Sequence, residues 1–500
     1  MLSNAASLRP FAFQIVLALG LLAVLANGLL FKAASRWVSL GLTAVTLAGA
    51  VLAMILTAEP APRGLFGGLV ARDGFADFFN LLFAAAGVVV ALGSIPSDEV
   101  VDRRDGDRDA VEYGALLLAV ILGASLMAAT ADLLTATLSI ELVSILSYAM
   151  AALARRSARS AEAGLKYVVY GGVATGTMLY GFSLLYGLAG STGLGAIRAA
   201  LAAAPPMVAG TTIALCLAGF GFKLAIVPFH AWCPDVYEGS PTPVTAFFSV
   251  VPKAAGFALA YRFVVGTPTR GLLAEAGPAA PWAIAIAALA VATMTLGNLA
   301  ALAQRSAKRL LAYSSIAHAG TILMALTVGT EDGARGLLIY LAVYLFMNLA
   351  AFLVLIALQR QGVGEAIDDL GGLGGRAPVP ALCLTLALLS LTGLPPLAGF
   401  VAKYAVISAV VARGATGGGA PFFLLALVAV LNTVVSLGYY ARVVKVMYFG
   451  RAPAGAPPVR VAPLHTGLLV ATTVPVVLLG VYWSPLASLA ARSTELWLGR

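Results

Sequence analysis

Charged residues are scarce in this 500-residue sequence, where Lys, Arg, Asp and Glu together account for 11% of positions. Ordinary soluble domains carry about a quarter, so a water-soluble globular protein of this size is excluded. Cysteine is also scarce, and its three copies lie far apart with no CxxC spacing. A disulfide scaffold, an iron–sulfur cluster and a structural zinc site are therefore not expected from Cys216, Cys233 and Cys383.

Apolar residues are abundant instead, since 61% of positions fall in the AVILMFWYC set and the mean hydropathy is +0.96. Apolar stretches of about 20 residues, the length that crosses a bilayer as a helix, recur from end to end. The expected fold class is an all-α polytopic membrane protein with about 14 transmembrane helices, because a helix satisfies its own backbone hydrogen bonds in lipid. The predicted spans, numbered 1 to 14, are 11–31, 37–57, 75–95, 113–130, 133–154, 163–189, 207–229, 243–265, 279–300, 307–329, 336–358, 380–400, 421–448 and 464–483.

The net charge of +9 does not indicate a nucleic-acid partner, because the basic residues are spread over short segments between the apolar runs. Most of these Lys and Arg residues lie in the loops that follow odd-numbered spans, among them Lys32, Arg103, Arg104, Arg155 and Arg360. The positive-inside rule assigns those loops to the cytoplasm. With an even number of spans, both termini are predicted on the outer side of the membrane.

Arginine outnumbers lysine by 24 to 7, so any lysine kept inside an apolar span needs an explanation. Four lie within spans, namely Lys166, Lys223, Lys253 and Lys403, while Lys308 begins a span and is expected at the interface. Arginine stays protonated in any surroundings, whereas a buried lysine can release its proton near neutral pH. Lys253 is about ten residues, roughly 15 Å, from either end of its span, too far to extend to the headgroups. The pattern favours a proton relay, with extension to the surface as the alternative for Lys166.

A seven-residue segment occurs twice, 180 residues apart, as LAGFGFK ending at Lys223 and LAGFVAK ending at Lys403. Helix breakers flank both copies, because Pro228 follows the first and Pro395-Pro396 precede the second. In hydrocarbon, an interrupted backbone is tolerated only where protein or water lines it. Two interrupted helices at corresponding places predict an ion or substrate site in a transporter built from inverted repeats.

Two further titratable residues lie near the middle of predicted spans. Glu141 lies in span 5, where a bare carboxylate costs several kcal/mol. We favour a titrating partner for a lysine, and a structural ion pair between two helices is the alternative. His318 lies in span 10 and can pass protons between its two nitrogens, with a hydrogen-bonded packing role as its alternative. No P-loop, dinucleotide fold or paired metal-ligand spacing occurs, so we expect no cofactor or metal to bind this chain.

Four segments carry a more specific signal. They read PFHAWCPDVYEGSPTPVTAF at 228–247, VPKAAGF at 251–257, KRLLAYSSIAHAG at 308–320 and GLPPLAGFVAK at 393–403. Together they resemble the N-subunit family of respiratory complex I, the proton-pumping NADH:quinone oxidoreductase, and the resemblance covers nearly the whole chain. The related M subunits typically have Glu where this chain has Lys403, and L subunits extend into a long lateral helix, so the resemblance is to N.

The resemblance implies two inverted five-helix repeats, helices 4–8 and 9–13, in which helices 7 and 12 are discontinuous. The implied boundaries are 1–112 for helices 1–3, 113–266 for the first repeat, 279–448 for the second repeat, and 464–500 for helix 14 and the tail.

The resemblance also implies a proton-translocating subunit of the membrane arm, in a bacterial inner membrane, driven by redox chemistry in other subunits. The family's relay residues carry over onto Glu141, Lys223, Lys253 and Lys403, with Lys166 and His318 as additions. Other membrane-arm subunits and the lipid bilayer are implied partners, and NAD, FMN, iron–sulfur clusters and quinone are implied in those partner subunits. The alternative is a subunit of a stand-alone sodium/proton antiporter. An independent solute carrier and a purely structural spacer of the arm also remain open.

Overall fold

The computed structural model describes residues 2–31, 35–59, 61–95, 97, 108–265, 281–453 and 459–498. Within these residues, 14 helices are long and apolar enough to cross a membrane, which confirms the predicted all-helical membrane class. We number the membrane helices α1 to α14 and write two of them as halves. They are Ala12–Leu30 (α1), Arg36–Leu56 (α2), Gly74–Ser94 (α3), Arg108–Ala129 (α4), Leu133–Ala151 (α5), Ala158–Ala189 (α6), Pro206–Leu224 and Trp232–Gly239 (α7a and α7b), Thr242–Val264 (α8), Pro281–Leu302 (α9), Ala307–Val328 (α10), Glu331–Gln359 (α11), Pro378–Thr392 and Ala398–Arg413 (α12a and α12b), Ala420–Phe449 (α13) and Pro463–Val481 (α14).

Short polar side chains begin several of these helices. Each accepts a hydrogen bond from a backbone N–H of the first turn, which otherwise has no partner inside the helix. The capping residues are Ser35 (α2), Asp73 (α3), Asp132 (α5), Ser157 (α6) and Ser306 (α10). The apolar runs therefore start as helices at positions that the local sequence defines.

Several short elements lie outside the membrane helices and were not predicted. An antiparallel hairpin joins α2 to α3, with strands Arg63–Leu65 (β1) and Val70–Arg72 (β2). The short helices are Leu2–Leu8, Leu194–Ala203, Leu373–Arg376 and Ser484–Leu498. None has a hydrophobic run of membrane length, which is the signal on which the sequence prediction depended.

Two membrane helices are interrupted. Helix α7a ends where Ala225 adopts a left-handed conformation with φ +55°, and α7b begins only at Trp232. Helix α12a ends where Gly393 has φ +90°, and α12b begins at Ala398. The peptide bonds before Pro228 and Pro396 are cis. Each interruption leaves backbone carbonyls at the end of one half and backbone N–H groups at the start of the next without helical partners.

Three helices form the centre of the molecule. In the most apolar stretch of each helix, the share of buried residues is 100% in α8, 94% in α10 and 89% in α11, compared with 28% in α1. Lys253 on α8 and His318 on α10 therefore lie in the most enclosed part of the protein.

The prediction of span 12 as residues 380–400 was wrong, because that range ends in the first turn of α12b. The span that contains the second half, Ala398–Gly417, includes Lys403 and Arg413. Its mean hydropathy is therefore 1.3, among the lowest of the spans found in the described residues. Span 7, predicted as 207–229, similarly omitted α7b. Lys32, Arg103 and Arg104, which contributed to the predicted orientation, lie outside the described residues, as do residues 266–280, where the first predicted repeat ends and the second begins.

Candidate functional site

Lys223 lies in the last turn of α7a and is 5% exposed. Its Nζ donates a hydrogen bond of 2.9 Å to Ser144 Oγ on α5. Gly256 of α8 packs against the side chain, and a Cβ atom there would be 3.3 Å from Lys223 Cγ. A small residue on α8 thus leaves room for the aliphatic part of the lysine, while the amine is bound to α5.

Glu141 lies on α5 about one turn before Ser144 and is only partly buried. Among the described residues, its carboxylate is not within ion-pair distance of Lys223, whose direct partner on α5 is Ser144. The structure therefore brings the predicted acid and amine into one neighbourhood without a direct contact.

Lys253 lies at the middle of α8 and is 3% exposed. Its Nζ donates a 2.9 Å hydrogen bond to the carbonyl oxygen of Ser315 on α10 and a second one to Ser315 Oγ. Tyr344 on α11 donates to the same Oγ at 2.9 Å. Ser315 thus connects the three central helices at the position of the amine.

His318 lies on α10, one turn after Ser314, and is 4% exposed. Its Nδ1 shares a 2.7 Å hydrogen bond with the Tyr340 hydroxyl, and its Nε2 is 3.5 Å from the Tyr440 hydroxyl. The Tyr440 hydroxyl also bonds Ser314 Oγ.

Lys403 lies near the start of α12b and is 9% exposed. Its Nζ donates hydrogen bonds to the Thr392 carbonyl oxygen at 2.8 Å and to Thr433 Oγ1 on α13 at 3.2 Å. Gly393 makes room for this side chain, because a Cβ atom there would be 2.8 Å from Lys403 Cδ. The positive φ of Gly393 also favours glycine at this position.

Two buried amides and a tyrosine join α9 to α13, the helix that carries Thr433, and the sequence analysis missed them. Tyr439 donates to Asn298 Oδ1 at 2.9 Å, and Asn298 Nδ2 donates to Asn432 Oδ1 at 3.0 Å. Asn432 is the chain neighbour of Thr433, and the rings of Tyr439 and Tyr440 are 4.3 Å apart. Asparagines inside apolar spans were the available signal, since a buried amide needs hydrogen-bond partners.

Lys223, Lys253 and Lys403 share one property. Each ammonium has oxygen partners, but none of the three has a carboxylate within ion-pair distance among the described residues. A buried charge without a counter-ion is expensive, so an amine with only neutral partners is chemically suited to exchange its proton. An ion-paired amine instead keeps it.

Lys166 is not part of this buried series. Its side chain is 38% exposed, and its Nζ lies 2.8 Å from both Asp235 on α7b and Glu162 on α6. Arg309 at the start of α10 binds the same Asp235 at 2.7 Å and Glu238 at 2.8 Å. These five residues line an open, charged cleft of about 250 Å³ at the end of α7b.

Lys308 was expected at the membrane interface; it lies in the first turn of α10, and its side chain is 3% exposed because protein covers it. Its Nζ donates a 2.7 Å hydrogen bond to the carbonyl oxygen of Ser240, the residue that ends α7b. Glu365 lies 3.4 Å from the same nitrogen. A cation at the C-terminus of a short helix is favourable, so Lys308 stabilises the end of α7b.

In the described residues, no group of three or more His, Cys, Asp and Glu is arranged to hold a metal ion. The three cysteines are buried and free. The buried series is lined by hydroxyls, amides and one imidazole, which can both donate and accept hydrogen bonds, and by amines, which donate when protonated.

Comparison with known proteins assigns the family. Residues 130–432 match the family described as NADH:quinone oxidoreductase/Mrp antiporter, TM. NADH-quinone oxidoreductase subunit N 2 of Sorangium cellulosum is 45% identical over 99% of both chains. Subunit N of Anaeromyxobacter is 42% identical over 99% of this chain and 98% of its own.

Solved structures agree with these relatives. A chain of respiratory complex I from Thermus thermophilus with bound aureothin has 33% identity and a TM-score of 0.78, over 96% of this chain and 99% of its own. A chain of the Mrp complex from Dietzia has a TM-score of 0.82 at 20% identity, over 98% of this chain and 97% of its own, and shows the fold alone. The stand-alone antiporter alternative shares this fold and the family description, but the relatives at 42–45% identity are N subunits. The chain belongs to the subunit N family of NADH:quinone oxidoreductase, the antiporter-like membrane subunits of complex I.

Proposed function

We propose that this chain carries protons across the membrane through a relay formed by Glu141, Lys223, Lys253, His318 and Lys403. One observation carries the proposal: three buried ammonium groups, one beside each helix interruption and one on the central helix α8, have oxygen partners and no carboxylate partner in the described residues. Protons held on such groups are exchangeable, because the surroundings do not fix the charge.

The helix interruptions give the relay its two ends. Lys223 lies before the first interruption and Lys403 after the second, and each amine binds an oxygen of another membrane segment. A change in the distance between Glu141 and Lys223 alters the charge felt at Lys253, since electrostatic interactions are strong where water is excluded. The altered proton affinity then passes to His318 and Lys403.

Hydroxyl and amide groups supply the connections between the titrating residues. Ser315 and Tyr344 surround Lys253, and Tyr440 joins Ser314 to His318. The hydrogen-bonded amides Asn298 and Asn432 hold the helix segment that carries Thr433, which accepts from Lys403, so they position this part of the path while hydroxyl groups, which both donate and accept, pass the proton. Lys166 lies outside this path and acts in the charged cleft with Asp235.

We further propose that residues 113–266 and 279–448 form two inverted repeats, preceded by helices of 1–112 and followed by 464–500. Two features support this division. The fourth helix of each segment is the interrupted one, and each carries a lysine beside the interruption. An odd number of helices in a repeat reverses its direction in the membrane, so five-helix units are inverted.

The proposed setting is the membrane arm of complex I in a bacterial inner membrane, with both termini on the outer side. Loop lysines and arginines and the even number of spans support this orientation. NAD, FMN, iron–sulfur clusters and quinone belong to partner subunits in this proposal, and their redox chemistry drives the relay. The other membrane-arm subunits and the lipid bilayer are its neighbours.

The proposal is tested in inverted membrane vesicles that contain the assembled complex. NADH-driven acidification, followed with a fluorescent dye, is expected to be lost when Lys223→Ala is introduced. Native gel electrophoresis measures assembly in the same membranes. Wild-type acidification from a normally assembled Lys223→Ala complex would contradict the relay.

A further inference from the structure

A second polar site lies in the N-terminal helices, away from the lysine series. The hairpin β1–β2 covers a cavity, which we call the hairpin cavity, between α1, α2 and α3. Its polar lining is Gln14, Arg72, Asp77 and Asn80, and Met54 and Phe13 supply apolar walls. The proposed relay uses none of these residues.

Asn80 is the unusual member of this lining. The residue is 3% exposed, and its Oδ1 has no hydrogen-bond partner in the described part of the chain. Leaving a buried amide oxygen without a donor costs about 1–3 kcal/mol, and native proteins avoid this by binding a partner or an ordered water. The geometry at Asn80 therefore calls for a donor inside the cavity.

Asp77 lies about one turn before Asn80 on α3, so both side chains are on the same face of the helix. Its Oδ1 is 3.6 Å from Arg72 Nε, which is an ion pair too long for a direct hydrogen bond. Two acceptors, a carboxylate and an amide oxygen, thus border the same small space.

Arg72 does not supply the missing donor to Asn80, because its guanidinium is directed to backbone and hydroxyl oxygens at the start of α1 and the end of α2. It donates to the Pro10 carbonyl at 2.9 Å, the Thr57 hydroxyl at 3.0 Å and the Met54 carbonyl at 2.8 Å. Gln14 does not supply this donor either, because its Nε2 donates a hydrogen bond of 2.7 Å to Ser125 Oγ.

The size and charge of the cavity define the ligand. About 10 Å³ is open to the centre of a water molecule, which is the room that one water needs. Arg72 already balances the charge of Asp77, so a neutral donor fits better than a metal cation or an ammonium ion. We propose that the hairpin cavity is a binding site for a single water molecule that donates hydrogen bonds to Asn80 Oδ1 and to the Asp77 carboxylate.

Radiolytic footprinting of the assembled complex tests this proposal, because X-ray pulses convert a bound water into a hydroxyl radical that oxidises its neighbours. Met54 lines the cavity at 8% exposure, while Met150 is fully buried on α5 and serves as the reference. Mass spectrometry is expected to find Met54 oxidised in the wild type and Met150 unmodified. Equal protection of the two methionines in the wild type would overturn the proposal.

Two variants separate a bound water from bulk solvent. Asn80→Leu keeps the size of the side chain and removes the amide, so oxidation of Met54 is expected to be lost. Asn80→Ser keeps a polar group and enlarges the space, so oxidation is expected to persist. Undiminished oxidation of Met54 in a folded, assembled Asn80→Leu complex would identify bulk solvent as the source and overturn the proposal.

Discussion

The ammonium of Lys403 extends back across the interruption of helix 12 and donates a hydrogen bond of 2.8 Å to the carbonyl oxygen of Thr392. Thr392 is the last residue of α12a, where backbone carbonyls have lost their helical partners. The interruption therefore creates the acceptor that the amine uses. A cation at this end of a half-helix is also favoured by the helix dipole.

Replacing Lys403 with arginine separates charge from proton exchange. Arginine keeps a positive charge and donors for the Thr392 carbonyl, but it stays protonated in any surroundings. We expect Lys403→Arg to assemble and to lose NADH-driven acidification of membrane vesicles.

Lys445→Arg is the matched control, because that lysine is exposed on α13 and should tolerate the change. Acidification at the wild-type rate with Lys403→Arg would show that release of a proton at this position is not required.

Ser144 provides a test of the contact between α5 and Lys223. Removing its hydroxyl takes away an acceptor from a buried ammonium, and hydrogen bonds to charged groups contribute about 1.5–3 kcal/mol. We expect Ser144→Ala to slow acidification and to shift its pH dependence, because the balance between charged and neutral Lys223 changes.

Ser147 lies on the same helix and is also buried, but its hydroxyl donates only to the Val143 carbonyl of its own helix in the described structure. Ser147→Ala should therefore leave the pH profile unchanged. Identical profiles for the two alanine variants would contradict a specific role of Ser144.

The positions of the buried amines could be predicted from the sequence, but their partners could not. Lysine inside an apolar run of an arginine-rich chain is a local signal, so Lys223, Lys253 and Lys403 were found directly. Ser144 is 79 residues from Lys223, and Ser315 is 62 residues from Lys253. Serine is common in membrane helices, and only tertiary packing selects which one meets an amine.

The second halves of the interrupted helices could not be predicted from hydropathy either. Helix α7b has eight residues and contains Asp235 and Glu238, so it reads as a polar loop. Hydropathy detects segments that bury themselves in lipid, whereas α7b is stabilised by contacts such as that of Lys308 with Ser240. The likeness of short motifs to a known family located these interruptions better than periodicity did.

Lys166 allows the effect of removing an exposed lysine to be compared with that of removing a buried one. It lies in an open cleft, and Asp235 keeps a second cation, Arg309, at 2.7 Å when Lys166 is removed. Exposed ion pairs contribute about 0–1 kcal/mol, so Lys166→Gln should reduce acidification much less than Lys223→Gln in the same vesicles. High salt should reduce the difference between Lys166→Gln and the wild type, because it screens exposed charges. Equal losses from the two glutamine variants would place Lys166 within the relay.

The ion pair between Asp73 and Arg262 yields a prediction about stability. Arg262 Nη2 donates to both carboxylate oxygens of Asp73, at 2.7 and 2.9 Å. The Asp73 side chain is 4% exposed and the Arg262 side chain is 7% exposed. The Asp73 carboxylate also accepts from the Ala76 N–H, and so begins α3. The pair therefore ties the start of α3 to the last turn of α8, joining the N-terminal helices to the centre of the molecule.

Removing one partner of such a pair leaves an uncompensated buried charge, which costs about 3–5 kcal/mol. We expect Arg262→Leu to lower the temperature at which the purified complex loses this subunit, and Asp73→Asn in the same chain to restore part of the loss. Arg63→Leu is the control, because the Arg63–Glu59 pair is 43% and 30% exposed and contributes about 0–1 kcal/mol. If Arg262→Leu were no less stable than Arg63→Leu, the buried pair would not contribute to holding α3 against α8.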